Sequence, residues 1–284
     1  MPAHVVIASC DPLPPFDPEH APLAEALAGF GIVSEVVPWD RAGFDWAATD
    51  LVIIRSTWDY HRRREAFVQW ADDVARQTPL WNPASLVRWN SHKRYLEELR
   101  SAGVPVVPTH WLNQGEPADL SELFADSSWK EAVAKPAVSV GAERALRFGR
   151  DERTRAEAHV AEILRTTDVM LQPYLESVER YGERSFVYLG GSFSHAVLRA
   201  PMLVHSRRGA PESSPVAATR GEREVSEQVL GKLASPWLYA RVDLAPGQDG
   251  LPLLMELELI EPSLFLRHAP AAAARLAEEI KRRL

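Results

Sequence analysis

The sequence predicts an α/β fold that becomes α+β in its second half. Two short apolar runs, Val5–Ser9 and Leu51–Ile54, have the composition of buried parallel strands and are separated by a helical segment. Further along, Ser185–Leu189 and Phe193–Leu198 are joined by Gly190-Gly191, which is typical of an antiparallel hairpin. A parallel sheet therefore comes first, and antiparallel strands follow it.

Composition places the chain among ordinary globular proteins. Of its 284 residues, 46% are hydrophobic and 25% are charged, and the net charge of -7 argues against a general nucleic-acid-binding protein. Cys10 is the only cysteine, which excludes an internal disulfide and a thiolate metal cluster. There is no signal-peptide pattern and no apolar run near the ~20 residues of a membrane span, so we expect a cytoplasmic protein without membrane partners. A homodimer is compatible with this composition.

The predicted strand Leu51–Ile54 is followed by a polar and aromatic stretch, Arg55–Tyr60. Ligands in parallel sheets bind outside the carboxyl ends of the strands, so Arg55, Ser56 and Thr57 are candidate substrate contacts. Arg55 has the geometry to bind a carboxylate through two hydrogen bonds. The alternative is that Ser56, Thr57 or Asp59 caps the following helix, which we predict over residues 62–77.

Two lysines lie at points where a phosphate would fit. Lys93 falls in the first turn of a helix predicted to start near Asn90 with Ser91 as N-cap, a position that disfavours a cation without an anionic partner. Lys135 ends a predicted strand, and the loop after it contains Ser139 and Gly141, whose N–H groups could surround phosphate oxygens. A solvated lysine is the alternative for Lys93. Another strand is expected at residues 104–107.

A long loop, Pro201–Arg220, separates the hairpin from a helix predicted at residues 222–233. Loops of this length often form lids over active sites. Its arginines could meet an anion, and a solvated, disordered loop is the alternative.

Acidic residues alternate with apolar ones in Met255–Leu259, which predicts a strand with Glu256 and Glu258 on one face. The preceding strand places Arg241 and Asp243 together by the same alternation. If the two strands pair through the turn at residues 247–250, three carboxylates and one arginine converge. Mg²⁺ is a hard cation that prefers such oxygen ligands. The alternative is an amphipathic strand whose acids face water.

Taken in chain order, these features resemble the ATP-grasp superfamily, which includes glutathione synthetase and D-alanine:D-alanine ligase. The resemblance covers nearly the whole chain. It implies an ATP-grasp fold with an N-terminal pre-ATP-grasp domain (residues 1–90), a central lid domain (91–172) and a C-terminal domain with the metal site (173–284). ATP is then expected between the last two domains.

The resemblance also implies a role for each polar residue. Lys93, Lys135, Ser139 and Gly141 would bind phosphate, Gln172 and Tyr174 would meet adenine, and Glu183 would contact the ribose. Asp243, Glu256 and Glu258 would bind Mg²⁺, with Mn²⁺ as a second choice, and Arg184, Arg199 and Arg241 would surround the transferred phosphate. Two departures from the family pattern are a loop at 139–142 with little glycine and Glu258 where asparagine is common.

A narrower resemblance is to the branch that contains D-cycloserine synthetase. It is carried by Arg55–Tyr60, Trp81–Pro83, Arg88–Asn90, Lys135–Ser139 and Glu256–Ser263. It implies an ATP-dependent carboxylate–amine ligase that forms an acyl phosphate and cyclises a small amino-acid-like substrate, O-ureido-D-serine to D-cycloserine. An intermolecular amino-acid or peptide ligase and a non-catalytic nucleotide-binding module are the alternatives.

Overall fold

A computed structural model describes residues 2–12, 19–124, 129–200 and 213–284. Its strands form three sheets that follow one another along the chain. Pro14, Pro15 and Pro18 of the first loop lie outside the described residues, as do residues 201–212 of the predicted lid. No helix in the part of the chain that the structure describes is both long and apolar enough to cross a membrane.

The N-terminal sheet is parallel and has the strand order β2-β1-β3-β4. Its two central strands are almost fully buried because apolar side chains cover both faces. This part of the chain comprises β1 (His4–Ser9), α1 (His20–Gly29), β2 (Val33–Pro38), β3 (Leu51–Ile54), α2 (Arg64–Ala75), β4 (Leu80–Trp81) and α3 (Ala84–Asn90).

The central sheet is antiparallel with the order β5-β8-β6-β7, and α5 packs on one face of it through Val160, Ile163 and Leu164. The predicted strand at residues 104–107 is reduced to one bridge between Val106 and Leu254, because prolines 105 and 108 lack the N–H groups of a longer ladder. The elements are α4 (Tyr95–Ser101), β5 (His110–Leu112), β6 (Glu131–Pro136), β7 (Leu146–Gly149), α5 (Arg153–Leu164) and β8 (Val169–Pro173).

The C-terminal sheet has the order β11-β10-β9-β12-β13, and all of its pairs are antiparallel. Residues 213–216, which we expected in the lid loop, form a strand that pairs with β10. The elements are α6 (Glu176–Tyr181), β9 (Glu183–Leu189), β10 (Ser192–Arg199), β11 (Ser213–Val216), α7 (Arg220–Leu230), β12 (Tyr239–Pro246), β13 (Pro252–Glu258) and α8 (Ala272–Lys281).

The two faces of the C-terminal sheet are covered differently. Phe186 and Val242 pack with Val229 of α7 on one face. On the other face, Val187 and Tyr239 join a core that includes α8 and the N-terminal sheet. That second face becomes polar further along the same strands, and the polar end carries the candidate site.

The outer edge of β13 is covered by side chains of the segment between α3 and α4. The Asn90 side chain donates to Leu257 O at 2.8 Å and accepts from Leu259 N at 2.9 Å. Tyr95 Oη donates to Leu257 O at 2.9 Å and accepts from Leu257 N at 3.0 Å. These bonds take the place of a further strand.

The helix predicted from Asn90 is interrupted. Ser91 lies at the end of α3, where its hydroxyl donates to Arg88 O at 3.2 Å and accepts from Arg64 Nε at 2.9 Å, so it is not an N-cap. Lys93 lies between α3 and α4, and its N–H donates to Ala137 O at 2.8 Å. Lys93 is therefore positioned by the central sheet's loop, not by a helix terminus.

Candidate active site

The β12–β13 hairpin brings the acidic residues together as the alternation predicts. Arg241 is paired with Glu258 and Asp243 with Glu256 across the two strands. One carboxylate oxygen from each of Asp243, Glu256 and Glu258 lies within 4.8 Å of the others. The convergence of three acids and one arginine, expected if the strands pair, is present in the structure.

Met255 does not lie where simple alternation puts it. We expected it on the face of Leu257 and Leu259, but the register shifts between Asp243 and Leu244, so that Leu244 is opposite Leu254 and Met255 is left without a partner. Such a bulge turns a side chain toward the other face. Met255 accordingly lines the pocket next to Glu256.

Asp243 is the most constrained acid of the group, with 1% of its surface exposed. Its carboxylate accepts hydrogen bonds from Ser185 Oγ at 2.7 Å, Arg199 Nη2 at 2.8 Å and Arg241 Nε and Nη2, both at 2.9 Å. Burial acts to raise the pKa of Asp243, but Arg199 and Arg241 outweigh it and lower the pKa. Asp243 is therefore ionised at neutral pH.

Glu258 is in a different electrostatic state although it also contacts Arg241. Burial and the negative charges of Glu256 and Asp243 raise its pKa to about 7, because Arg241 compensates them only in part. An added divalent cation relieves this repulsion. Three converging carboxylates and no sulfur or nitrogen donor are the ligand chemistry that Mg²⁺ requires, so these residues fit the ion.

The two lysines lie on either side of the loop after β6. Lys93 Nζ is 3.2 Å from Glu256 Oε1 and donates to Ser139 O at 2.8 Å, so the loop residue Ser139 is in direct contact with it. Lys135 Nζ donates to Gln172 Oε1 at 3.2 Å, and burial lowers the pKa of Lys135. The present partners of the two ammonium groups are a carbonyl oxygen, a carboxylate and an amide oxygen. Phosphate oxygens can take the place of these partners.

An open pocket lies between the central and C-terminal sheets; its space, counted together with the adjoining solvent, is about 450 Å³. Four of the predicted nucleotide-binding residues line it, namely Lys135, Gln172, Tyr174 and Glu183. The other residues that line the pocket are apolar. A nucleotide base is flat and has polar groups at its edge, so it can pack in a pocket with such a lining. The sequence alone did not reveal the apolar walls, which are Val107, Val133, Pro173, Leu175, Val178 and Met255.

The loop after β6 reaches the N-terminal part of the chain. Val140 packs on the core that contains Phe67 and Tyr60, and Glu143 Oε2 is 2.8 Å from His61 Nε2. Gly141, Ala142 and Arg144 have φ values of +63°, +61° and +58°. Two of these left-handed residues are not glycine, so the loop is held in this shape by its contacts.

The three arginines expected around the transferred phosphate do not lie together. Arg199 contacts Asp243 and also donates to Glu183 Oε2 at 2.6 Å. Arg184 points to the opposite face of the sheet, where it donates to Glu222 Oε1 of α7 at 2.6 Å. Successive strand residues face opposite sides, so Ser185 reaches Asp243 and Arg184 does not. The expected placement of Arg184 in the site is therefore wrong.

Arg55, Ser56 and Thr57 are more deeply buried than their expected role suggests. Arg55 is 3% exposed, forms an ion pair with Glu19 at 2.6 Å and donates to Pro262 O at 2.9 Å. Ser56 Oγ lies 3.1 Å from His20 Nε2, and the buried Thr57 hydroxyl has no hydrogen-bond partner among the described residues. The alternative, a side-chain cap on the following helix, is not found for Asp59. Asp59 lies just before the next helical turn, and its side chain makes no capping hydrogen bond.

Comparisons with known proteins identify the relatives of this chain. The family model of the D-cycloserine synthetase DcsG N-terminal domain matches residues 5–82. The cycloserine biosynthesis protein DcsG of Streptomyces lavendulae is 36% identical over 287 residues, which is 95% of this chain and 95% of that protein.

Solved structures agree on the fold. The crystal structure of D-cycloserine synthetase DcsG superimposes with a TM-score of 0.92 at 33% identity, covering 99% of both chains. D-alanine–D-alanine ligase from Bacillus anthracis gives a TM-score of 0.68 at 12% identity, with 99% and 96% of the two chains covered, and this likeness shows the fold alone. The chain is an ATP-grasp ligase and belongs to the D-cycloserine synthetase family.

Proposed function

We propose that this ligase converts O-ureido-D-serine to D-cycloserine at the expense of ATP, through an acyl phosphate. The observation that carries the proposal is the convergence of Asp243, Glu256 and Glu258, with Arg199 and Arg241 in contact with the acids, beside a pocket lined by four of the expected nucleotide-binding residues. The DcsG proteins it resembles are named for the same product.

In this proposal the nucleotide base occupies the pocket near Gln172, and the phosphates extend toward Lys135, Lys93 and Ser139. Asp243, Glu256 and Glu258 would hold Mg²⁺, which would supply positive charge to neutralise the phosphates. Lys93, which pairs with Glu256 in the structure, would bind a phosphate oxygen instead. Positive charge held there would lower the pKa of Glu258, which burial and the neighbouring acids raise to about 7.

The first chemical step joins a carboxylate oxygen of the substrate to the γ-phosphorus while the bond to ADP breaks. Negative charge is spread over the equatorial oxygens in that step, and the fixed guanidinium groups of Arg199 and Arg241 are placed to stabilise it. Ser185 and Asp243 keep both guanidinium groups in place. The protein therefore acts on this step through fixed charges, and the step requires no covalent nucleophile on the protein.

In the second step the ureido nitrogen bonded to oxygen attacks the acyl carbon, phosphate leaves, and that nitrogen loses its proton. Ring closure leaves a carbamoyl group on the ring nitrogen. Water adds to the carbamoyl carbon, the bond from that carbon to the ring nitrogen breaks, the nitrogen takes a proton, and the carbamic acid released decomposes to ammonia and carbon dioxide, which leaves D-cycloserine. The loop at residues 137–145 lies over this region and limits the entry of water, which would otherwise hydrolyse the acyl phosphate.

The test is ADP release with ATP and Mg²⁺ across O-ureido-D-serine, amino acids and dipeptides, with products identified by mass. Turnover of O-ureido-D-serine alone, giving the ring, is the expected result. Turnover only with a donor and acceptor pair would replace the cyclising reaction by intermolecular ligation. ATP binding without any turnover would replace it by a non-catalytic nucleotide-binding role.

A further inference from the structure

Glu261 is a buried carboxylate that neither the sequence pattern nor the reaction above uses. Glu261 is 7% exposed. Within the described ranges, its only hydrogen bond is the one that its main-chain oxygen accepts. The other acids of the site each have a cation: Asp243 has Arg199 and Arg241, Glu258 has Arg241, and Glu256 has Lys93. Among the residues that the structure describes, no lysine or arginine lies within contact distance of the Glu261 carboxylate.

The backbone around Glu261 is fixed from both sides. Trp58 Nε1 donates to Glu261 O at 3.0 Å, and Arg55 donates to the next carbonyl, Pro262 O, at 2.9 Å. Tyr239 Oη donates to Ile260 O at 2.9 Å. These bonds fix the backbone that carries the Glu261 side chain before any ligand arrives.

The segment that carries Glu261 adjoins the site. Arg241 Nη1 donates to Ser263 O, two residues further along, at 3.2 Å. The charges that act on the Glu261 carboxylate are those of Glu258, Lys93, Glu256 and Arg241, all of them residues of the candidate active site. Burial and the two neighbouring glutamates raise the pKa of Glu261 well above its ordinary value, and a cation bound beside it would lower that pKa.

We propose that Glu261 binds the ammonium group of an amino-acid substrate whose carboxylate is phosphorylated beside Arg199 and Arg241. The inference rests on the proposed function and adds the group that recognises the substrate's other charge. A zwitterion that places its carboxylate among these cations carries its ammonium only two bonds away. Burying that ammonium without an anion is costly, and an ionised glutamate offers acceptors only.

The position of Glu261 also explains why an arginine and a tryptophan follow β3. Arg55 and Trp58 do not touch the ligand in this arrangement; they fix the carbonyl groups of Glu261 and Pro262. The Arg55–Trp58 stretch thus contributes to substrate recognition through the backbone it holds. Arg55 and Trp58 are positioning residues, and Glu261 is the binding residue.

The experiment compares an amino acid with its deamino analogue, in the wild type and in Glu261→Gln. ADP release is measured with O-ureido-D-serine and with 3-(ureidooxy)propanoic acid, which lacks only the amino group. The wild type should prefer the amino acid about 30-fold in kcat/KM, as expected for a hydrogen bond between charged groups. Glu261→Gln should reduce the preference to less than about 3-fold, with KM for ATP unchanged.

Glu222→Gln is the matched control, because Glu222 is another buried glutamate but lies on α7, on the opposite face of the sheet, where it pairs with Arg184. It should keep the wild-type preference. A Glu261→Gln enzyme that discriminates as the wild type does would overturn the inference. So would an enzyme that keeps its discrimination and needs more Mg²⁺, since Glu261 would then be a metal ligand.

Failure of the proposed function is separable from failure of this inference. If the wild type does not turn over O-ureido-D-serine, that reaction is wrong, and the comparison is repeated by calorimetry with Mg·ADP and the tightest-binding α-amino acid of the panel. Loss of binding to the amino acid in Glu261→Gln supports the ammonium site. Equal binding of the amino acid and its deamino analogue by the wild type, or binding of no amino acid at all, overturns it.

Discussion

Two buried groups of arginine and carboxylate side chains in this molecule differ in their balance of charge. The Arg55–Glu19 pair has one charge of each sign, and its remaining hydrogen bonds go to the backbone: Arg55 donates to Pro262 O, and Glu19 accepts from Leu264 N at 2.9 Å and Leu266 N at 3.3 Å. In the other group, Asp243 lies between Arg199 and Arg241. Further carboxylates, Glu256 and Glu258, adjoin that second group and remain partly accessible.

The difference between the two groups shows that a buried contact between arginine and carboxylate does not by itself indicate a ligand-binding site. A balanced pair whose hydrogen bonds go to main-chain groups ties two segments together, here the first domain's strand end and the loop after β13. A group with surplus acid beside a pocket is stable only when a cation, a proton or a ligand completes it. Both arginines suggested ligand binding in the sequence, but only Arg241 lies where a ligand can complete the charge balance.

Glu256→Gln should produce the largest effect, because it removes a metal-binding oxygen and the partner of Lys93 without changing side-chain volume. We expect ADP release to fall by at least about 10³-fold, a loss comparable to removal of a main electrostatic contact in other enzymes. The fold should be retained, as judged by circular dichroism. A fully active Glu256→Gln enzyme would falsify the metal-binding role of this acid.

The next largest loss of kcat/KM is expected for Arg199→Ala, with Arg184→Ala as its comparison. Arg199→Ala should lower kcat/KM by about 10²- to 10³-fold, since it removes a fixed charge next to Asp243. Arg184→Ala, on the opposite face of the same sheet, should keep kcat/KM within about 3-fold and lower only Tm, because its ion pair with Glu222 is partly exposed. Similar losses of kcat/KM in the two variants would contradict the structural separation of these arginines.

Arg55→Ala tests the balanced pair. Removing one partner leaves Glu19 buried without its charge partner, so the free energy of unfolding should fall by about 3–5 kcal/mol in urea denaturation. The double variant Arg55→Met with Glu19→Gln should recover part of that loss. Wild-type stability of Arg55→Ala, together with a raised KM for the amino acid, would return Arg55 to a direct role in substrate binding.

Glu143→Gln should have the smallest effect. The Glu143 side chain is 48% exposed, so its contact with His61 contributes no more than about 1 kcal/mol to holding the loop at residues 137–145. KM for ATP should therefore rise by less than about 5-fold, with kcat nearly unchanged, in steady-state measurements of ADP release. A loss of 100-fold or more would mean that loop closure depends mainly on this pair.

The metal-binding acids could be predicted from the sequence because the information is local. Alternation assigns Glu256 and Glu258 to one face, and the glycine-containing turn at residues 247–250 pairs that strand with the one carrying Asp243. The same alternation, applied to Glu183 and Arg184, shows that both cannot face the site. The misplacement of Arg184 came from carrying over a motif without that check.

Other parts of the site depend on contacts between distant segments. Ser185 reaches Asp243 only because β9 pairs with β12, a register that the sequence does not show. Glu261 becomes a site residue because Trp58 and Arg55, about two hundred positions away, fix its backbone. The bulge at Met255 is a further departure that the alternation of side chains does not predict.

The hydrogen bonds between Asn90, Tyr95 and the outer edge of β13 have a consequence for the chemistry. A shift of β13 by one residue along β12 would transfer Glu256 and Glu258 to the face occupied by α7. Asn90 and Tyr95 hold the backbone at Leu257 and Leu259 and so oppose that shift. An amide and a phenol that contact only the backbone of β13 thus determine which side of the sheet can carry out catalysis, and they also close this edge to strands of other chains.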